Sequence, residues 1–514
     1  MNYADLFRAT LPELALELAA LLVLVVDLGF LRKAALNLRV AVAALLGVLG
    51  CAAALWVLPF QGHGFVTPGT GELLLSAGGS AAVAQVGILL LTALTLLLLA
   101  DATFTKHVGE FVSVVLMAAA GALLVAAAQD LLVIFIGLEL LSLGLYILTA
   151  FAKRSGASAE AAIKYYLFGG MSAAFLLFGF SYLYGIAGST NLYHIVLAVN
   201  GLQGMHTAPL LFVALVMVAA GLGFKVAAVP FHLWAPDAYE GAPAPAAAFI
   251  ASVSKVAGFA LLISIGTAAL HVYGSFQEIF RIEPQSHTLV AREYAGFGVP
   301  WSLLLLILAV ASMTVGNLAA LAQISVRRLL AYSAMAHGGY TLLALGFFSY
   351  SPMSARAILY YVLTYGLTTV GAFGVVGVVE KATGSDRLDA FAGLSRRNPL
   401  LSAVLLVLFL SLAGIPPLVG FWAKFNLFAA ILRVYATGAG LGLVVLAIAM
   451  SAVSLYYYLQ VLKRAFVMPA VDETPIALHP VTMAVLLLTT LGVVVLGCFP
   501  ELLQGWIAGF YPGM

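Results

Sequence analysis

The sequence has few charged residues and almost no cysteine. Asp, Glu, Lys and Arg make up 9% of its 514 residues, whereas the set AVILMFWYC makes up 63%. A soluble chain carries about 25% charged residues, so this chain cannot coat a water-soluble body of its size. Cys51 and Cys498 lie far apart, which excludes an iron–sulfur cluster, a structural zinc site or a disulfide framework built by this chain alone. The net charge of +2 gives no reason to expect a nucleic-acid partner.

Motifs for catalysis are also missing. The sequence contains no GxxxxGK[ST] loop, no GxGxxG after a strand, no CxxC and no HExxH, and it does not group serine, histidine and carboxylate for acyl transfer. We therefore expect no metal site and no cofactor-binding site on this chain. If the protein serves an enzyme, it contributes ion movement, and the electron chemistry takes place on other chains.

Long apolar runs dominate what is present. A helix that crosses a bilayer needs about 20 mostly apolar residues, and the chain has fourteen such runs. Their limits are 11–31, 38–60, 81–101, 109–128, 130–151, 161–187, 208–229, 243–270, 300–322, 328–348, 354–379, 399–434, 440–462 and 480–500. The twelfth run contains Gly414, Pro416 and Pro417, which predicts two half-helices. The runs predict an all-α polytopic membrane protein with about fourteen transmembrane helices.

The basic residues of the loops are divided unequally between the two sides. Fourteen Lys and Arg residues lie in the loops that follow odd-numbered spans. The loops and the terminus on the other side of the membrane have only five, Arg8, Arg281, Arg292, Arg356 and Arg433. The fourteen are Arg32, Lys33, Arg39, Lys106, Lys153, Arg154, Arg327, Arg328, Lys381, Arg387, Arg396, Arg397, Lys463 and Arg464. The positive-inside rule then places both termini on the non-cytoplasmic side.

Four lysines lie inside the predicted spans, where a charged side chain costs roughly 2.5–3.5 kcal/mol to insert. Lys255 lies halfway along span eight, and Lys424 follows the Pro-Pro break. Lys225 follows Gly221 and Gly223 and precedes Pro230, so we expect span seven to break near Gly221–Gly223. Buried bases of this kind normally line ion pathways, so we predict that these three act in proton transfer. Lys164 lies only a few residues into span six, where a side chain that extends to the membrane surface is an equal alternative.

A carboxylate and two histidines complete the set of candidates. Glu139 is the tenth residue of span five, near mid-membrane. An unpaired buried carboxylate would take up a proton, so we expect Lys225 as its partner; the alternative is an ion pair that only holds two helices together. His337 is the tenth residue of span ten, and imidazole titrates near neutral pH, which suits a proton relay. His232 follows Lys225 by seven residues and is a further candidate.

Breaks and buried charges recur at an interval of five spans. Five is odd, so two such copies would lie inverted in the membrane, as in transporters built from inverted repeats with broken helices. In this arrangement Lys225 of the first repeat corresponds to Lys424 of the second, and Glu139 corresponds to His337. The predicted divisions are 1–108 (helices 1–3), 109–270 (first repeat, helices 4–8), 300–462 (second repeat, helices 9–13) and 463–514 (helix 14). The repeat predicts a row of proton sites in the membrane plane, with helices seven and twelve broken.

Three stretches resemble a known family, the antiporter-like membrane subunits of respiratory complex I. Residues 223–259 resemble its signature, with the sequence GFKVAAVPFHLWAPDAYEGAPAPAAAFIASVSKVAGF. Residues 129–151 resemble its glutamate-bearing fifth helix, QDLLVIFIGLELLSLGLYILTAF, and residues 327–340 resemble its tenth, RRLLAYSAMAHGGY. One departure is Ala244, where the family pattern has threonine.

Two further stretches look most like the N-type members of that family. They are the opening LPELALELAALLVLVVDL and the break GIPPLVGFWAKFNLF. Lys424 stands where the M-type subunit usually has glutamate. The chain ends just after span fourteen, without the long lateral helix of the L-type subunit.

The resemblance implies a proton-translocating subunit of NADH:quinone oxidoreductase in the inner membrane of a bacterium. Flavin, iron–sulfur clusters and quinone are then expected on partner subunits, and none of them on this chain. The expected partners are other membrane-arm subunits, including another antiporter-like subunit and small membrane subunits, together with the lipid bilayer. The carried-over residues are Glu139 and Lys225 as the ion pair, Lys255 as the central lysine, His337 as the link between the halves, Lys424 as the terminal lysine and Lys164 in a further family position.

In the implied mechanism, Glu139 stabilises the charged form of Lys225. A change at a neighbouring subunit removes that stabilisation, and the desolvated lysine becomes a weaker base. Its proton then passes toward Lys255, His337 and Lys424.

Two other functions are compatible with the same residues. One is a subunit of a Na⁺/H⁺ antiporter or of a membrane-bound hydrogenase, which share this architecture. The other is a structural membrane scaffold whose buried charges only hold helices together. Co-purification with flavin- and iron–sulfur-bearing chains would distinguish a complex I subunit from an antiporter or hydrogenase subunit. Replacement of Lys255 would distinguish a proton conductor from a scaffold, because a scaffold would then assemble poorly, whereas a conductor would assemble and fail to pump.

Overall fold

The computed structural model describes residues 3–62, 64–66, 72–101, 104–201, 208–279, 297–347, 353–434, 438–470 and 472–511. Within these residues the chain is almost entirely helical, and one antiparallel hairpin joins strands β1 (Gly64–Val66) and β2 (Leu73–Ser76). Arg281 and Arg292 of the charge count lie outside the described residues.

The helices follow one another with short connections. The first eleven are α1 (Tyr3–Ala9), α2 (Leu11–Val25), α3 (Leu36–Val57), α4 (Gly79–Leu97), α5 (Val108–Ala127), α6 (Leu131–Thr149), α7 (Gly156–Ala187), α8 (Leu192–Gly201), α9 (Ala208–Lys225), α10 (Trp234–Gly241) and α11 (Ala244–Ile279). The remaining helices are α12 (Gly298–Leu321), α13 (Val326–Gly346), α14 (Met353–Thr383), α15 (Leu394–Arg397), α16 (Pro399–Ala413), α17 (Val419–Val434), α18 (Ala439–Phe466), α19 (Pro480–Cys498) and α20 (Glu501–Gly509).

Helices cover all fourteen predicted spans. Among the described residues, ten helices are long and apolar enough to cross a bilayer: α3, α4, α5, α6, α7, α11, α12, α14, α18 and α19. The other predicted spans correspond to α2 with its π-helical extension Val26–Phe30, to the 18-residue α9, to α13, and to the pair α16 and α17. The predicted all-α polytopic membrane fold is confirmed.

Two long helices, α11 and α14, lie at the centre and pack against each other. In the most apolar 18-residue stretch of each helix, 100% of the residues of α11 and 83% of those of α14 are buried inside the protein. The corresponding share for α18 is only 28%. Helices α11 and α14 are therefore shielded from lipid by their neighbours. Polar side chains on them meet protein and not acyl chains.

The break of span seven follows Lys225. The Ala227 amide donates to the Phe224 carbonyl at 3.0 Å, and the Ala228 amide donates to the Gly223 carbonyl at 2.7 Å. This is the Schellman arrangement that ends many helices, and it places Ala227 in the left-handed region at φ 57°. The predicted break at Gly221–Gly223 is therefore displaced: both glycines stay in the helix, and the chain turns four residues after Gly223.

Side chains satisfy the polar backbone groups of this break. Trp234 Nε1 donates to the Phe224 carbonyl at 3.0 Å, and the Val229 amide donates to Ser312 Oγ at 2.9 Å. Irregular backbone at membrane depth is tolerated only where protein or water satisfies its polar groups. The contacts explain why the chain can unwind here.

The break of span twelve has the same hydrogen-bond pattern. The Gly414 amide donates to the Ser411 carbonyl at 2.9 Å, and the Ile415 amide donates to the Leu410 carbonyl at 3.0 Å. Gly414 takes the left-handed conformation at φ 88°, which glycine adopts without strain. The chain resumes a helix at Val419, so the predicted two half-helices are confirmed.

Ser312→Ala is expected to destabilise the break of span seven. The variant removes the hydrogen bond that the partly buried Val229 amide donates to Ser312 Oγ, at a cost of about 0.5–1.5 kcal/mol. Thermal unfolding of the purified protein should occur at a lower temperature. The control is Ser302→Ala on the same helix, because the buried Ser302 hydroxyl has no hydrogen-bond partner among the described residues. Equal melting temperatures for the two variants would contradict the assigned role of Ser312.

Candidate functional site

Lys225 ends α9, and its side chain is buried, with 5% of the residue exposed. Its Nζ donates to Ser142 Oγ at 2.9 Å. Ser142 lies one helical turn after Glu139 on α6, so the two side chains share a face of that helix. Glu139 is half-buried, and the described ion pairs within 4.0 Å do not include a Glu139–Lys225 pair. A direct or water-bridged Glu139–Lys225 contact stays a prediction.

Lys255 lies in the middle of α11, with 4% of the residue exposed. Its Nζ donates to the Val226 carbonyl at 2.9 Å and to the Ala334 carbonyl at 3.0 Å. Val226 directly follows Lys225 in the broken backbone, and Ala334 lies on α13, three residues before His337. Lys255 therefore bridges the break of span seven and the histidine-bearing helix.

His337 is buried on α13 among tyrosines. Its Nδ1 lies 2.6 Å from Tyr361 Oη, and its Nε2 lies 3.3 Å from Tyr458 Oη. Tyr458 also forms a short hydrogen bond with Ser333. The Tyr365 ring contacts the imidazole at a centroid distance of 4.9 Å. The imidazole therefore has a hydroxyl at each nitrogen and can exchange a proton on either side.

Lys424 lies on α17, with 6% of the residue exposed, and reaches back to the end of α16. Its Nζ donates to the carbonyls of Leu412 at 3.1 Å and Ala413 at 2.9 Å, and to Ser451 Oγ at 2.8 Å. The last carbonyls of a helix lack intrahelical partners and carry partial negative charge, so they stabilise an ammonium there. The Tyr340 ring lies 5.6 Å from Nζ.

Two glycines lie where the helices that carry the buried bases pack closely against each other. A Cβ on Gly258 would lie 3.8 Å from Lys225 Cγ, and Gly258 is three residues after Lys255 on the same helix. A Cβ on Gly338 would lie 3.8 Å from Lys255 Nζ, and Gly338 adjoins His337. Lys225, Lys255 and His337 thus follow one another through the interior.

A small cavity and an aromatic ring connect His337 with the end of α16. The cavity is lined by His337, Leu412 and Ala423, and the Leu412 carbonyl accepts from Lys424. Tyr340 contacts His337 at a centroid distance of 5.9 Å and also lies against Lys424. The structure therefore places Lys225, Lys255, His337 and Lys424 in one buried row.

Lys164 lies outside this row. Its side chain is 42% exposed and forms salt bridges with Glu160 at 2.7 Å and Asp237 at 2.9 Å. Arg328 of α13 also binds Asp237, at 2.6 Å, and binds Glu240 at 2.9 Å. These ion pairs hold α10, the short helix that follows the break of span seven, against α7 and α13.

His232 lies in the turn before α10 and is half-buried. Its Nδ1 is buried and has no hydrogen-bond partner among the described residues. The hydrogen bonds of the described residues do not connect His232 with the buried row. Its role and that of Lys164 in proton transfer stay predictions.

Hydroxyl groups were missed from the sequence. Ser142, Tyr361, Tyr365, Tyr458 and Ser451 contact the buried bases. Ser142 could have been found from the helical spacing, because it lies three residues after Glu139. The tyrosines gave no such signal, since aromatic residues in apolar helices usually pack in cores.

The position of each lysine relative to its break differs between the two broken spans. Lys225 is the last residue of the half-helix before its break, whereas Lys424 lies in the half-helix after its break. The predicted repeat boundaries and the pairing of these lysines stay predictions.

Fold and site together define a class. The chain is a polytopic helical membrane protein with two broken helices and a row of buried bases that runs between them. By sequence it belongs to the NADH:quinone oxidoreductase/Mrp antiporter transmembrane family, which matches residues 128–283 and 287–451, and within it to the subunit N group of NADH-quinone oxidoreductases.

Individual relatives support this membership. NADH-quinone oxidoreductase subunit N 2 of Acidobacterium capsulatum is 48% identical to this chain over 99% of both sequences. A chain of respiratory complex I from Thermus thermophilus is 34% identical, with a TM-score of 0.74 over 96% of this chain and 98% of that one. A chain of an archaeal membrane-bound sulfane sulfur reductase has a TM-score of 0.78 over 97% of this chain and 96% of that one, at 23% identity, which shows the common fold alone.

Proposed function

We propose that this chain is a proton-translocating membrane subunit of an NADH:quinone oxidoreductase in a bacterial inner membrane. It couples quinone reduction elsewhere in the complex to proton transfer along Glu139, Lys225, Lys255, His337 and Lys424. The observation that carries the proposal is the continuity of the row. Each lysine and the histidine are buried, and each lies near the next beside a backbone carbonyl, a glycine or the small cavity.

The partners of the lysines suit proton transfer. Lys255 and Lys424 donate to carbonyls or a hydroxyl, and the hydrogen bonds and ion pairs of the described residues join neither to a carboxylate. A carbonyl stabilises an ammonium group but does not neutralise its charge as a carboxylate does. The proton is therefore held less tightly than in a salt bridge and can move to the next base.

The charge of Glu139 provides the point of control. It stabilises the protonated form of Lys225 from the face of α6 that also presents Ser142. A displacement of α6 relative to α9 would weaken this interaction. Lys225 would then release its proton toward Lys255, whose Nζ binds the carbonyl of the next residue, Val226.

The redox groups are proposed to lie on partner subunits. Flavin, iron–sulfur clusters and quinone belong there, and this chain contributes ion movement. Another antiporter-like subunit and small membrane subunits would adjoin it in the membrane arm. The relative from Acidobacterium capsulatum is named as a subunit of an NADH-quinone oxidoreductase, which supports this assignment over an antiporter or hydrogenase complex.

Purification through an affinity tag on this chain tests the assignment. Flavin- and iron–sulfur-bearing chains should co-purify from detergent-solubilised native membranes, together with NADH:quinone reductase activity. A control purification uses the same membranes with an untagged chain. Recovery of a complex without NADH oxidation, but with Na⁺/H⁺ exchange in vesicles, would contradict the proposal.

Both termini are proposed to lie on the non-cytoplasmic side, because the basic loops lie on the other. The test is thiol labelling in a Cys498→Ser background, since Cys498 is exposed. A membrane-impermeant maleimide should label Ala382→Cys in inside-out vesicles, because residue 382 is exposed and adjoins the basic Lys381. It should label Gly505→Cys, on the exposed C-terminal α20, only in right-side-out vesicles. The reverse pattern would contradict the orientation.

A further inference from the structure

A cavity of about 300 Å³ lies between α14, α17 and α20, on the proposed non-cytoplasmic side of the protein. Its volume is at the lower end of the range for small-molecule sites, which is roughly 300–1,000 Å³. The charged residues of its lining are Arg356 of α14, Arg433 of α17 and Glu501 of α20. The cavity therefore presents charges of both signs.

Basic residues are scarce on this side of the protein. The structure describes three of them, Arg8, Arg356 and Arg433. Arg356 and Arg433 both line this one cavity, although they belong to different helices. A guanidinium group binds phosphate through several N–H donors in a fixed geometry, so two of them at one cavity favour a ligand that carries a phosphate.

Arg433 and Glu501 have no ionic partner among the described residues. Arg433 Nη1 lies 3.4 Å from Met353 Sδ, and a thioether sulfur is only a weak acceptor. The ion pairs of the described residues include neither Arg433 nor Glu501. Opposite charges that line one cavity without pairing can bind a ligand that has both a negative and a positive group.

Apolar side chains form another part of this surface. Phe425 of α17 lines the cavity, and 51% of this residue is exposed. On α20, the exposed Leu502 and Trp506 adjoin the lining residues Glu501 and Gly505. Tryptophan and short amphipathic helices are typical of the interface between hydrocarbon and headgroups. A molecule with a charged headgroup and an acyl chain therefore fits this cavity better than a soluble ion.

We propose that this cavity binds one phospholipid of the outer leaflet whose headgroup carries a phosphate and a primary ammonium, as in phosphatidylethanolamine. Arg433 and Arg356 bind the phosphate, Glu501 accepts hydrogen bonds from the ammonium, and an acyl chain packs against Phe425. A quaternary ammonium has no N–H to donate, and a glycerol headgroup offers the carboxylate no cation. Neither of these headgroups matches the lining as well.

The bound lipid joins the C-terminal α20 to α14 and to α17, the helix that carries Lys424. The inference rests on the proposed orientation, which decides the leaflet. It does not require proton transfer along the row. Lipid binding at this cavity and proton translocation can therefore fail independently, and the experiment below measures binding alone.

The test uses a phosphatidylethanolamine analogue with a diazirine near the glycerol end of one acyl chain. The analogue is incorporated into membranes that contain the complete complex, and labelled peptides of this chain are mapped after illumination. Label is expected on α17 and α20. Arg433→Gln should lower this labelling by about tenfold, because the phosphate loses charge-assisted hydrogen bonds. Arg433 is exposed, so the variant should assemble.

Glu501→Gln tests the selectivity for the headgroup. On the unmodified chain, matched phosphatidylcholine and phosphatidylglycerol analogues should label these helices at least threefold less than the phosphatidylethanolamine analogue. In Glu501→Gln the preference over phosphatidylglycerol should disappear. The carboxylate that binds the ammonium, and that repels an anionic headgroup, is then absent.

Two further variants serve as controls. Arg8→Gln removes the same charge from α1, and Arg8 does not line the cavity, so labelling should not change. Gly505→Leu leaves the charges intact but adds a side chain at the lining, where a Cβ meets open space. It should lower labelling by all three analogues, and it decides the question if Arg433→Gln does not assemble.

Equal labelling of the unmodified chain by the three analogues would identify bulk bilayer lipid only and would overturn the inference. Unchanged labelling in assembled Arg433→Gln, or in Gly505→Leu, would also overturn it. Label on a neighbouring subunit, with none on α17 or α20, would mean that a partner chain fills the cavity instead.

Discussion

Lys255→Ala is expected to lower quinone reduction and proton translocation together in a complex that still assembles. Lys255 lies between the break of span seven and α13, since its Nζ donates to a backbone carbonyl of each. Without it, no titratable side chain lies between Lys225 and His337 in the described row. Loss of a positioned acid–base group lowers rates by roughly a hundredfold or more.

Two further variants control for packing and charge. Lys255→Met keeps most of the side-chain volume, so a loss of activity equal to that of Lys255→Ala assigns the effect to the lost amine and not to a cavity. Lys255→Arg keeps the positive charge, but a guanidinium holds its proton too tightly to relay it. We expect Lys255→Arg to assemble and to remain poorly active. Full activity of Lys255→Met would contradict a role in proton transfer.

Glu139→Gln is expected to lower coupled turnover by about tenfold. The substitution keeps the shape of the side chain but removes the negative charge that we propose to stabilise the protonated form of Lys225. A Coulomb stabilisation of about 1.4 kcal/mol, which corresponds to a tenfold change, is modest for unit charges in a protein interior. Lys225 then binds a proton less readily, so fewer protons are available for transfer to Lys255. NADH:quinone reductase activity per assembled complex measures this effect.

Glu139→Asp and Glu17→Gln are the controls. Aspartate restores the charge on a shorter side chain, so activity should recover in part. Glu17 is an exposed carboxylate on α2, away from the row, and its loss should have little effect. If Glu139→Gln retained the activity of Glu17→Gln, Glu139 would have no role in controlling Lys225.

The architecture was largely predictable from composition and from a few special residues. A hydrocarbon core about 30 Å thick demands long apolar helices, so the spans follow from the length of the apolar runs. Gly414 marked the break of span twelve because only glycine takes a left-handed conformation without strain. The break of span seven was displaced from Gly221 and Gly223, because Ala227 adopts that conformation instead. Contacts from Trp234 and Ser312 stabilise that turn, and sequence spacing gives no measure of them.

The buried bases were also predictable, because a lysine in an apolar helix is costly unless the protein uses or solvates it. Their hydrogen-bond partners were not. Val226, Ala334, Leu412 and Ala413 act through backbone carbonyls, which every residue has, so their identity carries no signal. The tyrosines around His337 could not be predicted either, because their contacts with the imidazole depend on packing between distant segments.

The central claim is that the row of buried bases conducts protons, and paired rate measurements on Lys255→Ala test it most directly. NADH-driven quinone reduction and acidification of the vesicle interior would be recorded in the same inside-out vesicles, normalised to the amount of assembled complex. The account predicts that both rates fall together by roughly a hundredfold while assembly is preserved. Proton translocation at the unmodified rate in assembled Lys255→Ala would contradict it, and would leave the buried lysine as a structural element only.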